Sequence, residues 1–397
     1  MNYFVFKPKL KIFFGILILV GVLGSVSGLL DEATHGQRFW SNLLINSFFF
    51  FGLGLGALFF LALQKVAQAG WSVLLKRIFE ATSLFLPVAA IFIILSIAAS
   101  SLHIAHTYHW MVEGIMDETH ANFDPIIAGK SGFLNLPFFW IRTLIYLAVF
   151  IGFALLFRKR SLQEDQVGGL EFHKGNINLA AGFMVLFAIF SSVLSWDWIM
   201  SIDTHWFSTL FGWYSFAGVW CSSMVFMTIL VLWLKTLGYL PQVNENHIHD
   251  MGKWVFALSF LWAYTWFSQF MLIWYADIPE EVTYYQERFD TFNTLTWVTF
   301  AVNFVLPMVF LMSRNAKRNP FWLTSIGIII FIGHWLDVYL MVMPGTLHDL
   351  SQLGFTEIGM FLGFLGLFLW VVLKQLSNVP LVVEKNVFLE ESIHHHF

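Results

Sequence analysis

Apolar runs about as long as a bilayer is thick recur ten times along this sequence, and that recurrence decides the fold class. In hydrocarbon every backbone N–H and C=O must be satisfied within its own segment, so runs of this kind are helices. They fall at about 11–30, 42–66, 81–103, 133–157, 177–199, 208–234, 253–275, 292–313, 321–343 and 354–376. Residue usage agrees: 58% of the chain is hydrophobic and 12% charged, with 46 Phe and 18 Trp. The expected fold is all-α and integral to the membrane, one polytopic domain over 1–397 with no soluble module. A net charge of −4 without a basic patch gives nucleic acid nothing to bind. MNYFVFKPKLK enters the first run without a small-residue cleavage site, so that run is expected to be a retained helix.

Charge sets an orientation. Of the 21 Lys and Arg, only Arg38, Lys130, Arg142 and Arg288 fall on the side that lacks the termini. Basic residues favour the cytoplasmic face, so both termini are expected there. The opposite face is rich in acids, among them Glu113, Asp117, Glu118 and Asp124 after the third segment and Asp277, Glu280, Glu281, Glu287 and Asp290 after the seventh. Such a rim would dock a partner or funnel protons, or else be a solvated surface.

A faint repeat runs through the chain. The fifth segment ends SWDWIMSIDTHW and the ninth ends HWLDVYLMVMPGTLHD, each with an aspartate toward its outer end and a histidine beyond. Segments 2–5 and 6–9 also share orientation. They are expected to form two parallel four-helix bundles, 42–199 and 208–343, flanked by the first helix at 11–30 and the tenth at 354–376.

Ionisable groups inside such runs are expensive and therefore informative. His334 and Asp337 lie three apart on one face of the ninth segment, at mid-to-outer depth. An acid with a histidine able to share its proton suits a relay near neutral pH; the structural alternative is a polar pair that locks helix packing. Asp197, Asp203 and His205 offer a parallel branch at the end of the fifth segment. His103, His106 and His109 recur every three residues at the end of the third, as a proton antenna, metal ligands or haem ligands. Arg142 is a counter-ion for the acids, Glu357 opens the tenth segment, and Glu80 stands where a path from the basic side would begin. Tyr264, Ser268 and Gln269 on the seventh segment and Asn293, Thr296 and Asn303 on the eighth are lesser polar groups. One cysteine, Cys221, and no CxxCH exclude covalent haem c and a cluster held by this chain alone.

Four stretches carry a resemblance: DWIMSIDTHWFSTLFGWYSFAG (197–218), HDMGKWVFALSFLWAYTWFSQFMLIWYADIPEE (249–281), NFVLPMVFLMSRNAKRNP (303–320) and GHWLDVYLMVMPG (333–345). Together they resemble the membrane subunits of bacterial alternative complex III, and most of all its shorter one, ActF, related to polysulfide reductase membrane subunits. The resemblance implies a ten-helix subunit of a quinol:cytochrome c (or other acceptor) oxidoreductase in the bacterial cytoplasmic membrane, with no redox centre of its own. Iron–sulfur clusters and haem c would then sit on partner chains, beside a sister ten-helix subunit that holds quinol. Quinone held by this chain, and contact with a terminal oxidase, rest on the same analogy. The family pattern matches at Asp197, His205, His334 and Asp337. The rival readings are a self-sufficient secondary transporter and a purely structural anchor.

Overall fold

A computed structural model describes residues 3–396, and among them ten helices are long and apolar enough to cross a membrane. The protein is an all-α, multi-pass membrane protein. We label these helices α1 (Pro8–Leu29), α2 (Gln37–Val66), α3 (Gly70–Ser101), α4 (Leu136–Val167), α5 (Leu170–Trp198), α6 (Phe211–Thr236), α7 (Glu245–Ala276), α8 (Asn293–Phe310), α9 (Pro320–Leu347) and α10 (Phe355–Ser377). A short amphipathic helix, Pro279–Asp290, lies between α7 and α8 on the loop-rich face.

The helices form two closed rings of four. In bundle one α2 touches α3 and α5, and α4 closes the ring between those two; α6 to α9 repeat the arrangement as bundle two. The first helices of the rings, α2 and α6, pack against each other. Small residues make that possible: Ser223 Oγ donates to the Leu53 carbonyl at 2.8 Å across the seam. Enclosed on every side, α2 is apolar all round, whereas α1 shows Ile12, Ile16, Leu19 and Leu23 to the lipid. On the basic face a bridge pairs Tyr3 with Pro380, which joins the two ends of the chain.

The flanking helices meet glycine to glycine. A Cβ on Gly21 would fall 2.4 Å from the Gly363 Cα, and one on Gly24 would fall 3.0 Å from the Met360 nitrogen. Lipid supplies no hydrophobic drive between helices, so close backbone approach of this kind holds α1 to α10. Gly363→Leu is expected to destabilise the protein by about 1–3 kcal/mol, as for other overpacked contacts. Gly15→Ala should be silent in the same thermal melt in detergent, because nothing lies within 4 Å of a Cβ there.

Prolines remove a helical hydrogen bond in three helices where hydropathy alone runs smoothly, and they interrupt two of them. Pro87 has no N–H for the Ser83 carbonyl, and α3 breaks at Leu84 and Phe85. Thus α3 begins at Gly70, earlier than the expected 81, and it is two pieces. Pro307 likewise has no N–H for the Asn303 carbonyl, and Ala301–Val305 widen into a π turn. In α9, Pro344 frees the carbonyl of Leu340, which accepts Arg288 Nε at 3.1 Å instead.

One expectation for the histidines fails. Helix α3 ends at Ser101, His103 takes a left-handed conformation (φ 57°), and His109 opens a separate short turn. The three rings therefore share no helix face. All three lie exposed on the loop-rich surface, and no group of three His, Cys, Asp or Glu among the described residues is placed to hold a metal.

Candidate functional site

Bundle two encloses an acid whose neighbours are incompletely bonded. Asp337 on α9 is 3% exposed and accepts hydrogen bonds from Trp262 Nε1 of α7 at 2.8 Å and from the Tyr214 hydroxyl of α6. His334, one turn back, is 1% exposed and meets the Trp262 ring edge-on at 5.5 Å. Neither of its ring nitrogens has a protein partner, nor do the two side-chain polar atoms of Asn303 or the hydroxyl of Thr299. The π turn in α8 carries Asn303 inward, and Gly333 admits it: a Cβ there would lie 2.2 Å from Asn303 Oδ1. Unbonded polar atoms at this depth each cost on the order of 1–3 kcal/mol, a cost that water relieves.

A cavity of about 20 Å³ adjoins the acid, lined by Tyr214, Gln269, Tyr284, Tyr285, Arg288 and Asp337 among others. One water needs roughly 10–15 Å³ on such a measure, so this one takes one or two. Gln269 Nε2 donates to the Tyr285 hydroxyl at 3.1 Å along its wall. Tyr284 lines both this chamber and a wider vestibule of about 410 Å³ on the loop-rich face, and Arg288 lines the inner of the two. Four histidines line the vestibule (His106, His109, His205 and His348) with Asp203 and Glu287. Glu287 bonds His348 Nδ1 at 2.5 Å.

The dividing wall is stacked. Tyr284 lies flat on Trp206 at 3.8 Å and 11°, and the Arg288 guanidinium sits 3.3 Å from the Tyr284 ring centre. Arg288 Nη2 reaches Asp203 Oδ2 at 3.1 Å, and its Nε and Nη1 donate to the carbonyls of Leu340 and Tyr284. Burial weighs against its charge, but the Asp203 carboxylate opposes that and the Arg288 pKa is held up. The same burial, with Asp203, pushes the Tyr284 phenol up despite the adjacent guanidinium. A fixed cation and a neutral phenol thus stand between vestibule and acid.

Bundle one holds the counterpart acid in a different state. Asp197 is fully buried and receives Arg142 twice, Nε at 2.8 Å and Nη2 at 2.7 Å, with the Tyr146 hydroxyl at 2.9 Å. Phe133 and Phe138 flank the guanidinium at 4.0 and 4.1 Å. Both carboxylate oxygens are thus held by fixed donors, three hydrogen bonds in all, two of them from a cation. Asp203 is tied to Arg288 rather than following Asp197 in a chain, and His205 Nε2 bonds Asp124 at 2.6 Å. Glu357 is locked likewise by Arg38 at 2.6 and 2.7 Å, Asn42 at 2.9 Å and the Gly354 amide at 2.8 Å. Glu80 is clamped between Arg77 and Arg158, each at 2.8 Å. Tyr264, 62% exposed, faces outward.

The Asp124–His205 contact gives a pH prediction. Burial opposes ionisation of Asp124, but the His205 hydrogen bond and the Ile126 and Ile127 amides prevail and hold its carboxyl below the usual range. A depressed carboxyl stabilises the docked loop above its unfolded pKa of about 3.9 and loses that contribution as pH falls through the folded value. Hydrogen exchange around residues 124–128, corrected for its intrinsic pH dependence, should therefore quicken below about pH 4. Asp124→Asn should remove that extra acid sensitivity.

Tyr214, Trp262, Tyr284 and Arg288 carry this site, and sequence reasoning singled out none of them as neighbours of Asp337. The available signals were Pro307, four residues after Asn303, and Pro344, four after Leu340, because each leaves a carbonyl without its helical donor. No protein-family model matches the chain, and no curated protein matches it.

Proposed function

We propose that this chain is an integral subunit of a quinol:electron-acceptor oxidoreductase of the alternative complex III type, and that its second bundle carries the outer half of a proton path. The observation behind the reading is Asp337, buried beside a histidine, an asparagine and a threonine whose polar atoms lack protein partners. Protons exchange between the vestibule histidines and the chamber past Tyr284 and Arg288, and then over Gln269, Tyr285 and Tyr214 to Asp337 and His334. The Arg288 charge opposes entry of metal cations, while a proton passes by hops between oxygen and nitrogen atoms. In this reading the electrons run on iron–sulfur and haem c groups of partner subunits, beside a sister quinol-binding subunit. The basic face, with both termini, is cytoplasmic.

The resemblance over four stretches supports the assignment to this complex, and ten spanning helices are the number it implies. A transporter would be expected to interrupt helices in matching positions of its repeats. Here the interrupted helices are α3 and α8, second in one ring and third in the other. The test is purification of the chain from native membranes in mild detergent, followed by mass spectrometry and an optical spectrum. Co-purifying multihaem and iron–sulfur subunits are the expected result. A colourless chain that emerges alone and stays folded would overturn the assignment and put the transporter reading first.

A further inference from the structure

A second chamber lies on the basic face, where α2 ends and α5 begins, far along the chain from Asp337. It measures about 40 Å³ and is lined by Gln64, Lys65, Lys76, Glu164, His173 and Asn176 among others. Four buried polar atoms of that lining have no protein partner: Gln64 Oε1, Lys65 Nζ, His173 Nε2 and Asn176 Nδ2. His173 and Asn176 are themselves 8% and 2% exposed. The orientation of Asn176 is fixed, because its Oδ1 accepts Arg160 Nε at 2.6 Å, and so the free atom is a donor.

The charges in the chamber do not cancel. Glu164 pairs with Lys76 at 2.5 Å, and its other oxygen accepts Asn386 at 3.0 Å. Lys65 is left over, its ammonium resting 4.6 Å from the centre of the Phe157 ring. A buried ammonium with no carboxylate in ion-pair contact is costly, and a bound anion offsets that cost. The C-terminal segment covers the site: Phe388 meets the His173 ring edge-on at 5.1 Å, and Lys385 holds the strap to the Gln166 carbonyl at 2.6 Å.

We infer that this chamber binds a phosphoryl group, from the head group of an acidic phospholipid or from free phosphate. Lys65 Nζ and Asn176 Nδ2 supply donors for phosphate oxygens, and His173 Nε2 adds a third in the tautomer that carries its proton there. Gln64 Oε1 accepts from whatever hydroxyl the ligand carries. The size agrees, since 40 Å³ is far below the ~150 Å³ of a cavity that takes a benzene ring, so a quinone head does not fit here. The inference is independent of the proton path in bundle two.

The test is thermal unfolding of the delipidated full chain with either short-chain phosphatidylglycerol micelles or inorganic phosphate, each against a neutral phosphate-free detergent at equal ionic strength. Stabilisation of the wild type by one probe, lost in Lys65→Met and in Asn176→Leu, is the expected result. The lipid probe acting alone assigns the site to a head group, and phosphate acting alone assigns it to the free ion. No stabilisation by either probe, or equal stabilisation of wild type and both variants, would overturn the proposal. Should Lys65→Met fold poorly, Asn176→Leu with phosphorus analysis of the purified chain decides the matter: bound phosphorus equal to wild type sinks it.

Discussion

Asp337→Asn is expected to insert, fold and assemble like the wild type while slowing proton transfer through bundle two by about 10²–10⁴-fold, the usual contribution of a positioned acid–base group. The amide is isosteric and still accepts from Trp262 or from Tyr214, so one hydrogen bond is weakened, at about 1 kcal/mol. What it cannot do is take up and return a proton. In reconstituted vesicles the measurement is protons released per electron, and electron transfer itself should persist at a reduced rate. Full proton release by this variant would remove Asp337 from the path. Loss of the assembled complex would show instead that the acid is a packing device.

Arg142→Met is expected to do the opposite, damaging the fold more than the transport. It strips Asp197 of two charge-assisted hydrogen bonds and leaves a carboxylate buried beside Tyr146 alone. Breaking a buried pair in this way costs about 3–5 kcal/mol, a large share of a domain's stability. Thermal unfolding in detergent and the yield of inserted protein report it. Asp197→Asn on its own should also destabilise, because it leaves the guanidinium unpaired. Adding Asp197→Leu to Arg142→Met should recover much of the loss, since the uncompensated charge is then gone. A double variant no better than Arg142→Met would contradict the account of bundle one as an ion-pair lock.

These two results would separate acids that the sequence presents as twins. SWDW and HWLD occupy corresponding ends of repeated helices, and both aspartates invited the same reading. The difference between them is tertiary: Arg142, 55 residues before Asp197, stands in the same ring, whereas Arg288, which lines the Asp337 chamber, turns to Asp203. Sequence spacing carries no information about that choice. The ten spans, the two rings and the segregation of basic residues to one face were legible because length and charge are summed over many residues. Helix interruptions at Pro87 and Pro307 were not, because a hydropathy window averages over the single missing N–H that produces them. His103, His106 and His109 were placed on one helix by their three-residue spacing. The chain leaves its helix at Ser101, two residues before the first of them. The Lys65 chamber escaped notice for a related reason: a lysine at the end of an apolar run reads as an ordinary interfacial anchor, and only packing shows it unpaired.

A hydrated acid in bundle two and a dry one in bundle one are the basis of the proposed proton path. Trp262 and Trp198 provide a matched pair of reporters, both at 0% exposure, one bonded to Asp337 and the other beside Asp197 in the chain. Hydroxyl-radical footprinting by X-ray pulse labels side chains next to bound water even when they are closed to bulk solvent. Oxidation of Trp262 and His334 well above that of Trp198 is the expected result. Equal, background-level labelling of Trp262 and Trp198 would contradict it, because a dry Asp337 has no route for a proton.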